Sequence, residues 1–214
     1  MRRLFSAALV LGVGLTLVPD LSAQADPRLE ALKDEAQEMV QDRAKLVQEI
    51  IDHLFSFGEL GMQEFETQRY LTDLLADEGF DIELGVAGMP SAWTARWSNG
   101  SGSPVIAMGS DVDGIPQSNQ KPGVAYRDPI LAMAPGHGEG HNSGQAVNIV
   151  GALVVKELME RENIDGTLLI WPGVAEEQVA SKAFFVREGV FDGVDVNMFT
   201  HVSSRFGVNW GQQG

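Results

Sequence analysis

Residues 135–142 read PGHGEGHN, so two imidazoles (His137, His141) and a carboxylate (Glu139) are separated by single glycines, and half of the four histidines lie in this stretch. Imidazole nitrogen and carboxylate oxygen are the donors that zinc and its first-row neighbours take. Glycine lets the backbone approach a ligand closely. Further donors follow at Glu176, Glu177 and His201, and two precede at Asp111 and Asp113. Together these types point to a site for first-row metal ions. A phosphate-cradling loop is disfavoured because the G-x-G-x-G spacing carries an acid at its centre. A structural zinc site is typically closed by cysteine and histidine, and the chain has no cysteine. H-E-x-x-H and G-x-S-x-G are both absent. A flexible surface loop with incidental histidines is the remaining bland reading.

Elements must carry these groups to one place. Apolar residues from Leu29 to Leu54 recur at three- and four-residue spacing, which predicts a helix over 27–57 with a charged outer face, His53 being structural. A second amphipathic helix is expected from Glu66 to Glu78, stopping at Gly79. Strands are expected at Phe80–Leu84, Ala92–Trp97 and Pro104–Met108, the last a continuous apolar run suited to a covered strand. Gly109 to Gly136 is a long connection, and such loops are usually functional or disordered. Asn142 to Arg161 reads as a largely buried helix with Asn142 as its cap and Gln145 completing the pair. A strand at Thr167–Trp171, a short helix at Lys182–Glu188 and a strand at Val194–Thr200 complete an α/β alternation with right-handed crossovers and a largely parallel sheet. In such sheets, sites form beyond the carboxyl ends of the strands, where the donor residues all fall.

The chain of 214 residues opens with Arg2-Arg3, an uncharged apolar run from Leu4 to Val18 and the small-x-small triplet Ala23-Gln24-Ala25. That is the pattern of a cleaved signal peptide over 1–25, shorter than the roughly 20 apolar residues that span a bilayer. Its removal, with two arginines and one aspartate, takes the net charge from −15 to −16. Such acidity repels phosphate backbones, which argues against nucleic acid as a partner. No later stretch reads as a membrane span. The expectation is an exported protein, periplasmic or secreted.

The motifs GELGMQEFET at 58–67, GSDVDGIP at 109–116, GHGEGHN at 136–142, AEE at 175–177 and FVREGVFDGVD at 185–195, followed by His201, occur in one order. On these, the chain from Phe57 to Gly211 resembles the binuclear metallo-exopeptidase and amidohydrolase family that contains aminoacylases, acetylornithine deacetylases and glutamate carboxypeptidases. The branch it is most similar to is that of the N-acyl amino acid amidohydrolases, including aminobenzoyl-glutamate hydrolases. The resemblance implies the three-layer α/β sandwich of a zinc-peptidase-like catalytic domain. It implies two divalent cations, zinc with manganese or cobalt as alternatives. Glu139, His141, Glu177 and His201 would be ligands, Glu176 the general base, and Asp113 a carboxylate beside the site. Asp111, Asn142 and His137 fall around the site or in its loop, and His137 is not a ligand in the family.

Its substrates would be N-acyl or N-aroyl amino acids, cleaved at the amide by a metal-activated water. Glu139 stands where this branch has cysteine, a change toward harder cations and away from an oxidisable thiolate. His201 is followed by Val-Ser where proline is usual. Residues 26–214 correspond to a partial catalytic domain ending before the lid, through which family members dimerise. The competing expectations are an inactive relative that binds a metal or solute, and a non-functional fragment.

Overall fold

The computed structural model describes residues 26–209, so the expected leader at 1–25 lies outside the described residues. Five strands form one sheet: β1 (Asp81–Leu84), β2 (Trp93–Asn99), β3 (Val105–Asp111), β4 (Gly166–Gly173) and β5 (Val196–Phe199), in the order β1-β2-β4-β3-β5. Helices are α1 (Pro27–Asp42), α2 (Ala44–Phe57), α3 (Phe65–Asp77), α4 (His141–Glu162), the single turn α5 (Glu176–Val179) and α6 (Lys182–Arg187). β3 pairs in parallel with both β4 and β5, whereas β1 with β2 and β2 with β4 are antiparallel. The expected α/β architecture is present, and the sheet is mixed. Its parallel trio belongs to the β3–α4–β4 and β4–α6–β5 crossovers, and the donor residues lie at this end of the sheet.

Side-chain alternation along β4 divides the sheet into two faces. Leu168 and Ile170 join Trp93, Ala95 and Met108 in the main core, with Leu54, Leu71, Leu75 and Ile149 from the overlying helices. Leu169 and Trp171 point the other way with Ala107, covered by Phe191 and Val194. Every residue of β4 is buried, as befits a central strand with a continuous apolar sequence. β5 is an edge strand and exposed along its length.

Two expectations about helices need correction. The predicted 27–57 helix is broken at Arg43 (φ −96°, ψ 10°). α1 fully buries no residue, while α2 buries Ile50 and Leu54 in the core. α1 is instead fastened across α4 by Arg28–Glu162 (2.9 Å) and Arg161–Glu35 (2.7 Å), and the Arg43 guanidinium at the break reaches Met39 O (3.1 Å) and Glu157 (2.6 Å). Both halves share one hydrophobic period, so periodicity alone runs straight through the break. The second correction concerns Asn142. α4 begins at His141 behind Gly140 in the left-handed region (φ 77°), so Asn142 lies within the first turn and does not cap it. Gln145 turns into the core and donates to Ser110 O and Trp171 O, both at 2.9 Å, which clamps the ends of β3 and β4 together.

α4 sits very close to β3 at this end. A Cβ added at Gly144 would lie 1.7 Å from Ser110 Oγ, so only glycine permits the approach. That contact sets His141 directly over the carboxyl end of β3.

Candidate metal centre

His141 and His201 face each other with Nε2 atoms 3.2 Å apart. His141 Nδ1 is 3.1 Å from Asp113 O, and His201 Nδ1 is 2.8 Å from Val202 O. A carbonyl oxygen only accepts, so each ring donates from Nδ1 and, in its neutral form, presents a lone pair at Nε2. Two opposed lone pairs at this distance repel unless a proton or cation lies between them. Glu139 Oε2 is 3.8 Å from His141 Nε2 and 3.7 Å from His201 Nε2. Tetrahedral zinc with bonds of about 2.0–2.1 Å holds neighbouring nitrogens about 3.3–3.4 Å apart, so the pair has the spacing of two ligands on one cation. Backbone carbonyls taking the other ring N–H is the usual support for a ligating histidine.

A second set of donors adjoins the first. Glu177 Oε1 is 3.9 Å and Asp113 Oδ1 is 3.4 Å from His141 Nδ1. Both oxygens are buried without a hydrogen-bond partner among the described residues. Orphaned buried carboxylate oxygens are costly, and a divalent cation is the natural partner. Two overlapping groups, Asp111–His141–His201 and Glu139–His141–Glu177, each offer donor atoms within 4.8 Å of one another. The residues therefore fit divalent cations, with hard oxygen donors outnumbering imidazoles.

The electrostatics agree with a cation site. Burial and then Glu139 push the Glu177 carboxyl above its ordinary value. Burial also raises Asp111, against the opposing pull of Lys182. For His141, burial is the largest single influence and disfavours the proton, yet Asp113 and Asp111 outweigh it and its pKa is raised. Neighbouring carboxylates contribute to the Glu177 and His141 shifts, whereas the Asp111 shift is the work of burial.

Each donor is delivered by a distinct device. The long loop after β3 folds back on itself through paired bonds between Ile115 and Gly136 (2.9 and 3.1 Å). His137 and Asn142 turn away from the donors toward α2, where His137 Nε2 donates to Leu54 O (2.9 Å) and Asn142 Nδ2 to Ile51 O (3.3 Å). Burial depresses the His137 pKa, so the ring is neutral and serves the loop. Asp113 Oδ2 accepts Glu177 N–H (3.0 Å), joining the two acidic segments. Glu176 lies on the rim, a third exposed, with Lys182 Nζ 3.7 Å from its carboxylate.

Three contributors escaped the sequence reading. Glu64 is 1% exposed and accepts from Ala175 N–H (2.8 Å) and Ser91 Oγ (2.5 Å), fixing the turn ahead of Glu176. Glu59 accepts from Glu66 N–H and Thr67 N–H, both at 2.9 Å, and caps α3 from a distance. Lys182 Nζ contacts Asp111 Oδ1 at 2.6 Å, an ion pair lacking the alignment of a good hydrogen bond. For Glu59 and Glu64 the signal was the motif at 58–67, whose acids resemble a solvated helix start when read locally; Lys182 carried none.

No family model matches the chain. It is 32% identical over 153 residues to one of the subunits of p-aminobenzoyl-glutamate hydrolase from Escherichia coli, a match covering 72% of this chain and 31% of that protein. Among solved structures, an aminohydrolase structure from methicillin-resistant Staphylococcus aureus superposes with a TM-score of 0.65 at 24% identity, covering 78% of this chain and 41% of that one. A dinuclear metal-binding peptidase of the M20 family from Bacillus subtilis superposes at 0.57 and 24% identity, covering 81% and 44%. The chain thus spans about a third of the length of the first curated relatives it matches (31% and 34%). Over the part that is matched, the chain is similar in sequence to amidohydrolases, p-aminobenzoyl-glutamate hydrolase and an N-acyl-L-amino acid amidohydrolase from Geobacillus stearothermophilus among them, and it shares the fold of a dinuclear metal-binding peptidase of the M20 family.

Proposed function

We propose that the protein is a metal-dependent amide hydrolase acting on N-acyl or N-aroyl amino acids of the aminobenzoyl-glutamate type, exported to the periplasm or beyond. The observation that carries the reading is the pair of lone-pair nitrogens 3.2 Å apart on His141 and His201 with the Glu139 carboxylate beside them. Glu139, His141, Glu177 and His201 would hold two divalent cations, with Asp111 and Asp113 beside them; zinc is the first candidate, manganese or cobalt the alternatives. Bound there, such cations supply Lewis acidity for the scissile carbonyl and make water acidic enough to attack near neutral pH.

The rest falls to the chain's own groups. Glu176 takes the proton from water and returns it to the departing amine. Its partial exposure at the rim leaves it room to meet both. Asp113 fixes the Glu177 backbone and the Asp113 carbonyl fixes the His141 tautomer, so the ligands arrive already oriented. The similarity to aminobenzoyl-glutamate hydrolase supports the substrate class.

Release of aminobenzoate from aminobenzoyl-glutamate, measured with and without chelator, tests the reading in the full chain. Glu176→Gln is expected to retain its cations by elemental analysis and to lose turnover by about 100–10,000-fold. Turnover unaffected by chelation would remove the metal-dependent reading, and comparable turnover in E176Q would remove the base.

A further inference from the structure

The segment between β4 and α6 is a strained piece of backbone. α5 is one turn long and lies between Ala175 (φ 50°) and Ala180 (φ 48°), both left-handed without being glycine. Such conformations persist only where the surroundings over-determine them. Three tethers act on its backbone: Glu64 at Ala175 N–H, Asp113 at Glu177 N–H, and Ser181 Oγ at Val174 O. None of them touches the Glu176 side chain.

Lys182 does. Its Nζ is 3.7 Å from Glu176 Oε1, 2.6 Å from Asp111 Oδ1, and 4.9 Å from the centre of the Phe199 ring. Asp111 is 1% exposed, and its Oδ1 would be only 1.9 Å from a Cβ at Gly173, so it lies flat against the end of β4. The ammonium is therefore anchored to β3 through Asp111, flanked by an aromatic face from the end of β5, and left with a free side toward Glu176. Lysine suits this role as a compact point charge with several donors. Five carboxylates (Asp111, Asp113, Glu139, Glu176, Glu177) gather here, and among the described residues Lys182 is the one ammonium or guanidinium within 4.0 Å of them. With it counted, four negative charges remain, the number that two divalent cations neutralise.

We propose that Lys182 is a positioning residue: it bridges Asp111 and Glu176 and so holds the proton-transferring carboxylate at a fixed place on the rim, while taking no part in the cation sites. The tie stands on geometry alone; its effect on turnover rests on the hydrolase reading. The test compares Lys182→Met, which keeps length and loses charge, with Lys182→Arg, which keeps charge, in the full chain. Three readouts apply: zinc equivalents bound, hydrogen–deuterium exchange of the peptide spanning 174–182, and kcat and KM on aminobenzoyl-glutamate.

In K182M, zinc equivalents stay the same, exchange of the 174–182 peptide quickens, and kcat falls by about 100-fold with KM little changed; K182R restores most of both. Unchanged exchange in K182M overturns the tie, whatever the turnover. Loss of zinc equivalents overturns the separation of Lys182 from the cation sites. A rise in KM at constant kcat shows that Lys182 holds substrate and overturns the positioning role. Should the wild-type chain turn over nothing, that failure belongs to the hydrolase reading, and exchange together with zinc count still decides the tie.

Discussion

The turn at 135–142 and the turn at 174–182 bring carboxylates to the same centre by contrasting means. The first is a glycine-rich loop held without help from its carboxylate: by the Ile115–Gly136 backbone bridge below it, and by the His137 and Asn142 side chains donating to carbonyls of α2. Its carboxylate, Glu139, is half exposed and, among the described residues, has the His141 and His201 imidazoles as its charged neighbours, at 3.8 and 3.7 Å. The second is held by side chains, the buried Glu64, Asp113 and Ser181 and the partly exposed Lys182, around two alanines in glycine-like conformations. A loop whose anchors do not include its functional side chain can change that side chain without unfolding. A turn fixed by side chains ties function and folding together, so substitutions there are expected to strike both.

The largest expected effect on folding falls on the second turn. Glu64→Ala removes the acceptor for Ala175 N–H and for Ser91 from a site with no water access. Hydrogen bonds to a charged group are worth about 1.5–3 kcal/mol each, and the abandoned N–H adds its own cost. Denaturant unfolding is expected to show a loss of about 3 kcal/mol or more. Glu64→Gln should cost far less. Its remaining oxygen can still accept from Ala175, and the Ser91 hydroxyl can rotate to accept from the new amide. Equal damage from both would mean that the charge of Glu64, and not its bonding, supports the turn.

pH offers a second, smaller contrast. Burial raises Glu64, Asp111 and Glu177, while Asp113 and Asp111 raise His141 against its burial. A raised folded-state pKa means the folded chain holds its proton more tightly than the unfolded chain. The stability from the three carboxyls is thus full below about 4, near their ordinary values, and lost as pH rises through the raised ones. The His141 contribution is full below its ordinary 6.5 and lost as pH climbs through its raised value. These four act in one direction, and the depressed His137 acts in the other, its contribution being full above its ordinary 6.5 and lost as pH falls. With cations stripped by chelator, His141→Asn is therefore expected to lose Tm more steeply than wild type as pH is lowered from 8 toward 6, because it removes the raised group and leaves His137. Equal slopes in the two proteins would contradict the excess of negative charge around His141.

These contrasts also explain which features were legible from residues alone. Strands and helices show their hydrophobic period locally, so β1 to β5 and α3 were placed close to their observed bounds. The donors were visible because His137, Glu139 and His141 alternate with glycine in a way a core segment does not. What supports them was hidden. Glu64 lies in the acidic string Gln63-Glu64-Phe65-Glu66, and its burial depends on Ala175, 111 residues away. Ala175 and Ala180 carry no mark of a left-handed conformation, because alanine takes it only when forced. Asn142 looked like a cap since its type favours that role, but Gly140 turns the chain one step earlier and Asn142 is taken up by Ile51. Identity and local spacing reveal donors; the buttress behind them is a property of contacts between distant segments.

The smallest expected effect on folding, and the sharpest test of the comparison, is Glu139→Ala. The side chain is half exposed, and the hydrogen bonds of its loop run through main-chain atoms, His137 and Asn142. Substitution at such a surface position usually stays within about 0.5 kcal/mol. Metal-free E139A is therefore expected to unfold at the wild-type denaturant midpoint. Its cation binding should nevertheless fall, because Oε2 is the carboxylate oxygen shared between His141 and His201 at 3.8 and 3.7 Å. Glu139→Cys, with a softer donor, should shift preference toward zinc over manganese. If E139A instead destabilised the metal-free protein as much as E64A, the glycine loop would depend on its side chain too, and the two turns would be built alike. If it left cation binding untouched, the opposed Nε2 atoms would take their cation with Asp111, the third member of the other donor group.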